Sequence, residues 1–273
     1  MKISEVSARR EHAHLVATLI AAACLAFLFV AWPRHEQPKV VVETVPLDDS
    51  PPVPKFSIWR PFFFTNVGDH DISMPPGTSF VIRPAQSEQL YLVTALRLLG
   101  PSTGLTAEIA PGRIRASISE VVVSEAFGAS DSTVQVEIPL ELDLAKGDAE
   151  FWAETGFLVI PAGDNAKKFK PLPIASSAPA VGDPVWLATA VDGGAPASQY
   201  THRATVTGVS ETGGVDYAFD NAELSLQAAV GAPILNAAGE IVGMHLSGQA
   251  DGTGVVGRGV LADRLLEALE KLL

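Results

Sequence analysis

Cysteine is almost missing from this chain. The 273 residues hold one, Cys24, inside an apolar run, so no disulfide can form within the chain. The short signatures of metal and nucleotide sites are missing as well: no HExxH, CxxC, GxGxxG or P-loop spacing occurs. The expectation is no cofactor and no metal. Positive charge is scarce, 19 Lys and Arg against 31 Asp and Glu, and the net charge of -12 comes with no basic patch. Nucleic acid is therefore not an expected partner. The one tight His/carboxylate cluster, Asp69-His70-Asp71, sits among glycine and asparagine and reads as a turn rather than a metal site. What remains is an ordinary globular composition, 47% hydrophobic, long enough for one large domain or two small ones with a buried core.

From Leu15 to Trp32 the sequence LVATLIAAACLAFLFVAW runs without a charge. As a helix it is about 27 Å long, close to the roughly 30 Å of a hydrocarbon core. Trp32 suits the interface and Pro33 ends the helix. The expectation is an uncleaved signal anchor over residues 15–32 behind a cytoplasmic tail, 1–14. Two alternatives stay open: cleavage after Ala21-Ala22-Ala23, and a lipidated Cys24. Lys2, Arg9 and Arg10 precede the run and Arg34 and Lys39 follow it, so the basic bias mildly favours an inside N-terminus. The main domain is then expected outside the cytoplasm, at a bacterial inner membrane. Residues 33–56 are proline-rich and charged, which reads as a semi-rigid stalk.

Beyond Phe56 short apolar runs alternate with glycine and polar turns. Strands are predicted at 77–82, 90–95, 121–123, 133–138, 156–160, 184–188, 203–209, 215–219, 233–235 and 240–246. Asn236-Ala237-Ala238-Gly239 supplies a hairpin turn. The last segment, 263–272, reads as a helix starting at Asp263, with Leu265, Leu266, Leu269 and Leu272 on one side.

Two stretches carry more information than the rest. LYLVTALRLLG (residues 90–100) and AAVGAPILNAAGEIVGMHL (residues 228–246) resemble the histidine and serine motifs of trypsin-like, chymotrypsin-fold serine proteases, roughly V-T-A-x-H and G-x-S-G-x-P. GTSFVI (77–82) resembles the glycine-led first strand, and GFLVIPAG (156–163) is similar to the strand that opens with the family's aspartate. KPLPIASSAPAVGDPVWLATA (170–190) resembles the segment joining the two barrels. The resemblance implies an all-β domain over 57–273: a first antiparallel barrel at about 57–168, a second at about 169–261, a cleft between them and the short helix.

It also implies a catalytic triad that this sequence does not supply. The histidine position holds Arg97, a guanidinium that stays protonated at any working pH and cannot act as base. The serine position holds Val230, which has no heteroatom to form a covalent intermediate. The aspartate position falls on Gly156, or on Thr155 with a one-residue slip. Ala228 replaces the glycine whose N–H serves the oxyanion loop, and its Cβ narrows the backbone conformations open to it. Ser225, Ser247, His245 and His202 lie nearest the serine motif. His245 reads as face-lining or solvent-facing on a strand and His202 as an exposed loop residue.

The expectation is an inactive homologue of the serine endopeptidases, a binding module for a protein or peptide whose cleft candidates are Arg97 and Val230. An active trypsin-like endopeptidase and a purely structural part of an envelope complex are the alternatives.

Overall fold

The computed structural model describes residues 50–65, 77–85, 87–101, 109, 113–126, 133–138, 155–190, 200–222, 224–226, 228–251 and 254–272. The apolar run with Cys24, most of the stalk and Asp69-His70-Asp71 lie outside the described residues. Among the described residues no helix is long and apolar enough to cross a membrane.

Some strands, such as Tyr91–Ala95, are buried throughout, whereas others alternate buried and less buried residues as a half-buried sheet requires. In β9 (Gly214–Phe219) the buried set is Val215, Tyr217 and Phe219. Six strands form the first sheet: β1 (Ile58–Thr65), β2 (Ser79–Ile82), β3 (Tyr91–Ala95), β4 (Ile118–Glu125), β5 (Thr133–Val136) and β6 (Thr155–Val159). They are antiparallel in the order β5-β4-β1-β2-β3-β6. Glu137 and Val159 exchange backbone hydrogen bonds of 2.9 and 2.8 Å, which ties the end of β5 to β6 and closes the barrel. The second barrel is closed in the order β10-β11-β12-β9-β8-β7. Its strands are β7 (Pro184–Ala188), β8 (Thr201–Val209), β9, β10 (Pro233–Leu235), β11 (Ile241–Asp251) and β12 (Gly254–Leu261). Two six-stranded antiparallel barrels and one short C-terminal helix are the all-β architecture that the sequence led us to expect.

Two strands escape the sequence pattern. β1 carries Pro61, which argues against a central strand. Past Trp59 this strand pairs with β4 alone, so Pro61 withholds its N–H where no β2 partner needs it. β12 carries Gly254, Gly257 and Gly259 and has little strand propensity. Gly257 lies opposite Tyr217, and a Cβ there would come within 2.4 Å of the phenol ring. The missing side chain makes room for a large one. Among the described residues GTSFVI therefore contributes to the second strand, after β1, and not to the first.

The C-terminal helix spans Ala262–Leu272, with Asp263 in its first turn. Leu265, Ala268 and Leu269 are buried with Ile58, Phe80, Leu235 and Leu246. Each leucine so buried contributes about 2 kcal/mol, so this helix packs on the barrels, as expected. The indole of Trp59 stacks on Phe169 at 4.2 Å, fastening β1 to the segment between the barrels.

Candidate functional site

Thr78 organises the region that the sequence motifs identify. It is fully buried at the start of β2, and its hydrogen-bonding groups turn toward the loop before β10. Its N–H donates to the Val230 carbonyl at 2.8 Å. Its hydroxyl donates to the Ala228 carbonyl at 2.7 Å and accepts from the Ala190 N–H at 3.0 Å. Its carbonyl accepts the Thr94 hydroxyl at 3.0 Å. One first-barrel residue thus holds both the loop around Val230 and the end of the strand that leads to Arg97.

The loop is shaped to fit this clamp. Ala228 has φ +64°, in the left-handed region where a Cβ costs about 1 kcal/mol. Its substitution for glycine therefore does add strain. Gly231 has φ +84°, and a Cβ there would stand 2.2 Å from the Thr78 carbonyl oxygen and 3.1 Å from the Ala95 nitrogen. Only glycine fits between the two barrels at that point. The Gly231 N–H donates to the His245 carbonyl at 2.8 Å, and the His245 N–H donates to Ala232 at 2.8 Å, so β11 forms the floor.

The four positions named from sequence fall as follows. Val230 is half-buried and packs against the two large apolar clusters that hold Phe80 and Val93 in one and Leu92 and Leu98 in the other. Arg97 is exposed on the 3-10 turn Leu96–Leu99 that follows β3. Its neighbour Leu98 and the Val230 carbonyl meet at Gly77, where a Cβ would approach both within 2.6 Å. In β6, Gly156 pairs with Thr94 and Thr155 with Ala95. Of the two readings of the aspartate position, Thr155 lies nearer along the sheet to Arg97. Thr155 is buried, and its hydroxyl has no hydrogen-bond partner. No carboxylate stands at either place.

Of the flanking histidines, His202 differs from its sequence reading and His245 takes the face-lining half of its own. His202 is not a loop residue: it lies half-buried on β8, opposite Leu187, with Nε2 3.5 Å from the Thr189 hydroxyl. His245 does not face solvent: it is fully buried on β11. Its Nδ1 is bonded by the Tyr217 hydroxyl, and its Nε2 has no partner. Burial lowers the imidazole pKa to about 4 and, with the Asp216 carboxylate beside it, pushes the Tyr217 phenol well up. Both groups are neutral at pH 7.

Acyl transfer needs a hydroxyl or thiol set against a free base. The Thr78 and Thr94 hydroxyls donate to backbone carbonyls, and the His245 Nδ1 is occupied by a phenol. Among the described residues no group of His, Cys, Asp and Glu could hold a metal ion. Ser225 is exposed and Ser247 half-buried at the rim of the loop. Sequence reasoning missed Thr78 and the buried His245–Tyr217 pair; a Gly-Thr-Ser run opening a strand was the one local sign of the first.

A family model described as Trypsin-like peptidase domain matches residues 77–244. No curated protein sequence matches the chain. Among solved structures the chain is similar to the active form of the Rv3671c protease from M. tuberculosis, at 15% identity and TM-score 0.49, covering 80% of this chain and 81% of that one. It is also similar to a serine endoprotease from Yersinia pestis, at 13% identity and TM-score 0.49, covering 80% of this chain and 62% of that one.

Proposed function

The chain belongs to the trypsin-like peptidase domain family, matched over residues 77–244, and from that premise we propose that it is a non-catalytic member. In this reading it binds a protein or peptide at the bacterial inner membrane, held there by the apolar run from Leu15 to Trp32. The observation that carries it is Val230. At the position where the motif places the nucleophile stands a hydrocarbon side chain, packed against apolar clusters, with its carbonyl held by Thr78. Arg97 adds a permanent cation where a base is required.

A strand edge with exposed residues supports the binding half of the reading. β10 pairs with β11 only through Ile241, Gly243 and Met244. From Ser247 to Asp251, β11 pairs among the described residues with β12 alone, and Gly248, Gln249 and Ala250 are exposed. An extended peptide can add to such an edge by main-chain hydrogen bonds. The test is labelling of the whole chain with an active-site-directed fluorophosphonate. No adduct is expected; a stoichiometric adduct on any serine or threonine establishes an active hydrolase and ends this reading.

A further inference from the structure

The residues Ser50-Pro51-Pro52-Val53-Pro54 fall within the stretch that reads as a stalk, yet they are docked on the second barrel. The Thr201 hydroxyl, on β8, donates to the Ser50 hydroxyl at 3.1 Å. Pro52 lies over the turn that follows β10: a Cβ on Gly239 would stand 2.6 Å from its carbonyl oxygen and 3.4 Å from its Cγ. Pro51, between these two contacts, is buried, and Val53 packs against the apolar cluster that holds Ala188 and Leu235. In the barrel order β7 lies between β8 and β10, so the segment crosses β7.

Register shows what it crosses. Val185 and Leu187 belong to the second barrel's interior, which turns Trp186 and Ala188 to the outside. Ala188 is opposite Thr201, and Trp186 is opposite Leu235 on one side and Arg203 on the other. An indole, a leucine and a hydroxyl donor share one face there, and Trp186 is only 4% exposed. Such aromatic and apolar surface is what takes a polyproline helix. The ligand's chemistry agrees. Ser50, Pro51 and Val53 each precede a proline, and the prolines hold φ at about −65°, so the segment is extended before it docks. Little conformational entropy is then lost on binding. Its downstream end is fixed separately: Phe56, at φ +65°, accepts the Lys170 N–H at 3.0 Å and the Trp59 indole N–H at 2.8 Å through its carbonyl.

We infer that this outer face of β7 is a binding site for a proline-rich segment in the polyproline II conformation, and that residues 50–54 of the same chain are its resident ligand. The segment is a strap that seats the start of the domain on the second barrel. The site differs from the loop around Val230, which leads into β10, whereas Gly239 sits in the turn that leaves it.

The test uses the full chain in nonionic detergent micelles and a fluorescein-labelled peptide with the sequence of residues 50–54, read by anisotropy. In the unaltered chain the strap competes at an effective concentration on the order of millimolar, so little peptide should bind. Pro51→Gly with Pro52→Gly strips the strap of its preformed shape without altering the barrel, and peptide binding should tighten about tenfold or more. Thr201→Val in that background should weaken it about fivefold, the loss of one neutral hydrogen bond. A peptide with glycine in place of each proline should bind about tenfold more weakly than the parent. A second readout keeps the strap's prolines. In a Cys24→Ser chain, Ser50→Cys with Thr201→Cys should close a disulfide within one chain under copper phenanthroline, and excess parent peptide should slow its formation several-fold. Equal action of the two peptides in either readout, including none, overturns the inference. A disulfide that forms only between chains also overturns it, by making a second copy the occupant. A fluorophosphonate adduct would strike the non-catalytic reading and leave this site standing.

Discussion

Among the described residues, His245 is the one through which acid should weaken this fold. The pKa of His245 drops from the ordinary 6.5 to about 4 because the folded protein buries it. Between those values the unfolded chain holds a proton that the folded chain refuses, so stability rises with pH across the window. The contribution is complete above 6.5 and is lost as pH falls toward 4. At 1.36 kcal/mol per pKa unit it amounts to about 3 kcal/mol, a large share of a typical domain's 5–15 kcal/mol. The perturbation that isolates it is His245→Phe combined with Tyr217→Phe. The pair removes the titrating group and its phenol partner together, so no orphaned hydroxyl is left to confuse the result. Urea unfolding of the wild type and the double variant, at pH steps from 7 to 4 in one detergent, is the assay. Carboxylates titrate in both proteins and cancel in the difference. The wild type should lose about 3 kcal/mol more than the variant between pH 6.5 and 4. Parallel curves would mean that His245 is hydrated or protonated in the native state, and the description of its burial would be wrong.

Two further outcomes probe the clamp. Ala228→Gly relieves a residue held at φ +64° and should raise stability by about 1 kcal/mol in thermal or urea unfolding; a loss would mean that the loop does not require the left-handed conformation. Thr78→Val keeps the volume but strands the Ala190 N–H and the Ala228 carbonyl. It should cost about 2–4 kcal/mol, measured the same way, and a neutral result would show that water replaces the hydroxyl.

How much of this was legible in the sequence depended on the range of the interaction. β7 and β10 follow the predicted bounds to the residue, because proline and glycine mark them off locally. The turn at Asn236 was legible for the same reason: its side-chain oxygen accepts from the Ala238 and Glu240 N–H groups, each at 3.0 Å, within one short loop. The Thr78–Ala228 bond spans 150 residues, and no periodicity encodes it. Which half of the His245 reading holds, face-lining or solvent-facing, was not legible, for a different reason. Its neighbours Met244 and Leu246 are buried in the cluster that includes the C-terminal helix, so alternation alone would send His245 to solvent. β11 is covered on both sides, and the opposite side meets Tyr217 in the second barrel's interior.

The same distinction separates the steric residues of the motif from the positions of its reactive groups. Gly231 is retained, and the structure gives it a purely steric duty: nothing larger fits between the Thr78 carbonyl and the Ala95 nitrogen. Thr94 is retained, and its hydroxyl closes the hydrogen-bonding set around Thr78. In the non-catalytic reading, Val230 and Arg97 occupy the serine and histidine positions, and Gly156, or Thr155 with a one-residue slip, the aspartate position, and none of these supplies the reactive group. Residues that build the joint between the barrels carry a folding cost when replaced, about 2–4 kcal/mol for Thr78. Residues that would serve only the reaction are under no such constraint. The steric residues within the motif, Gly231 and Thr94 among them, are what made this family legible from the sequence.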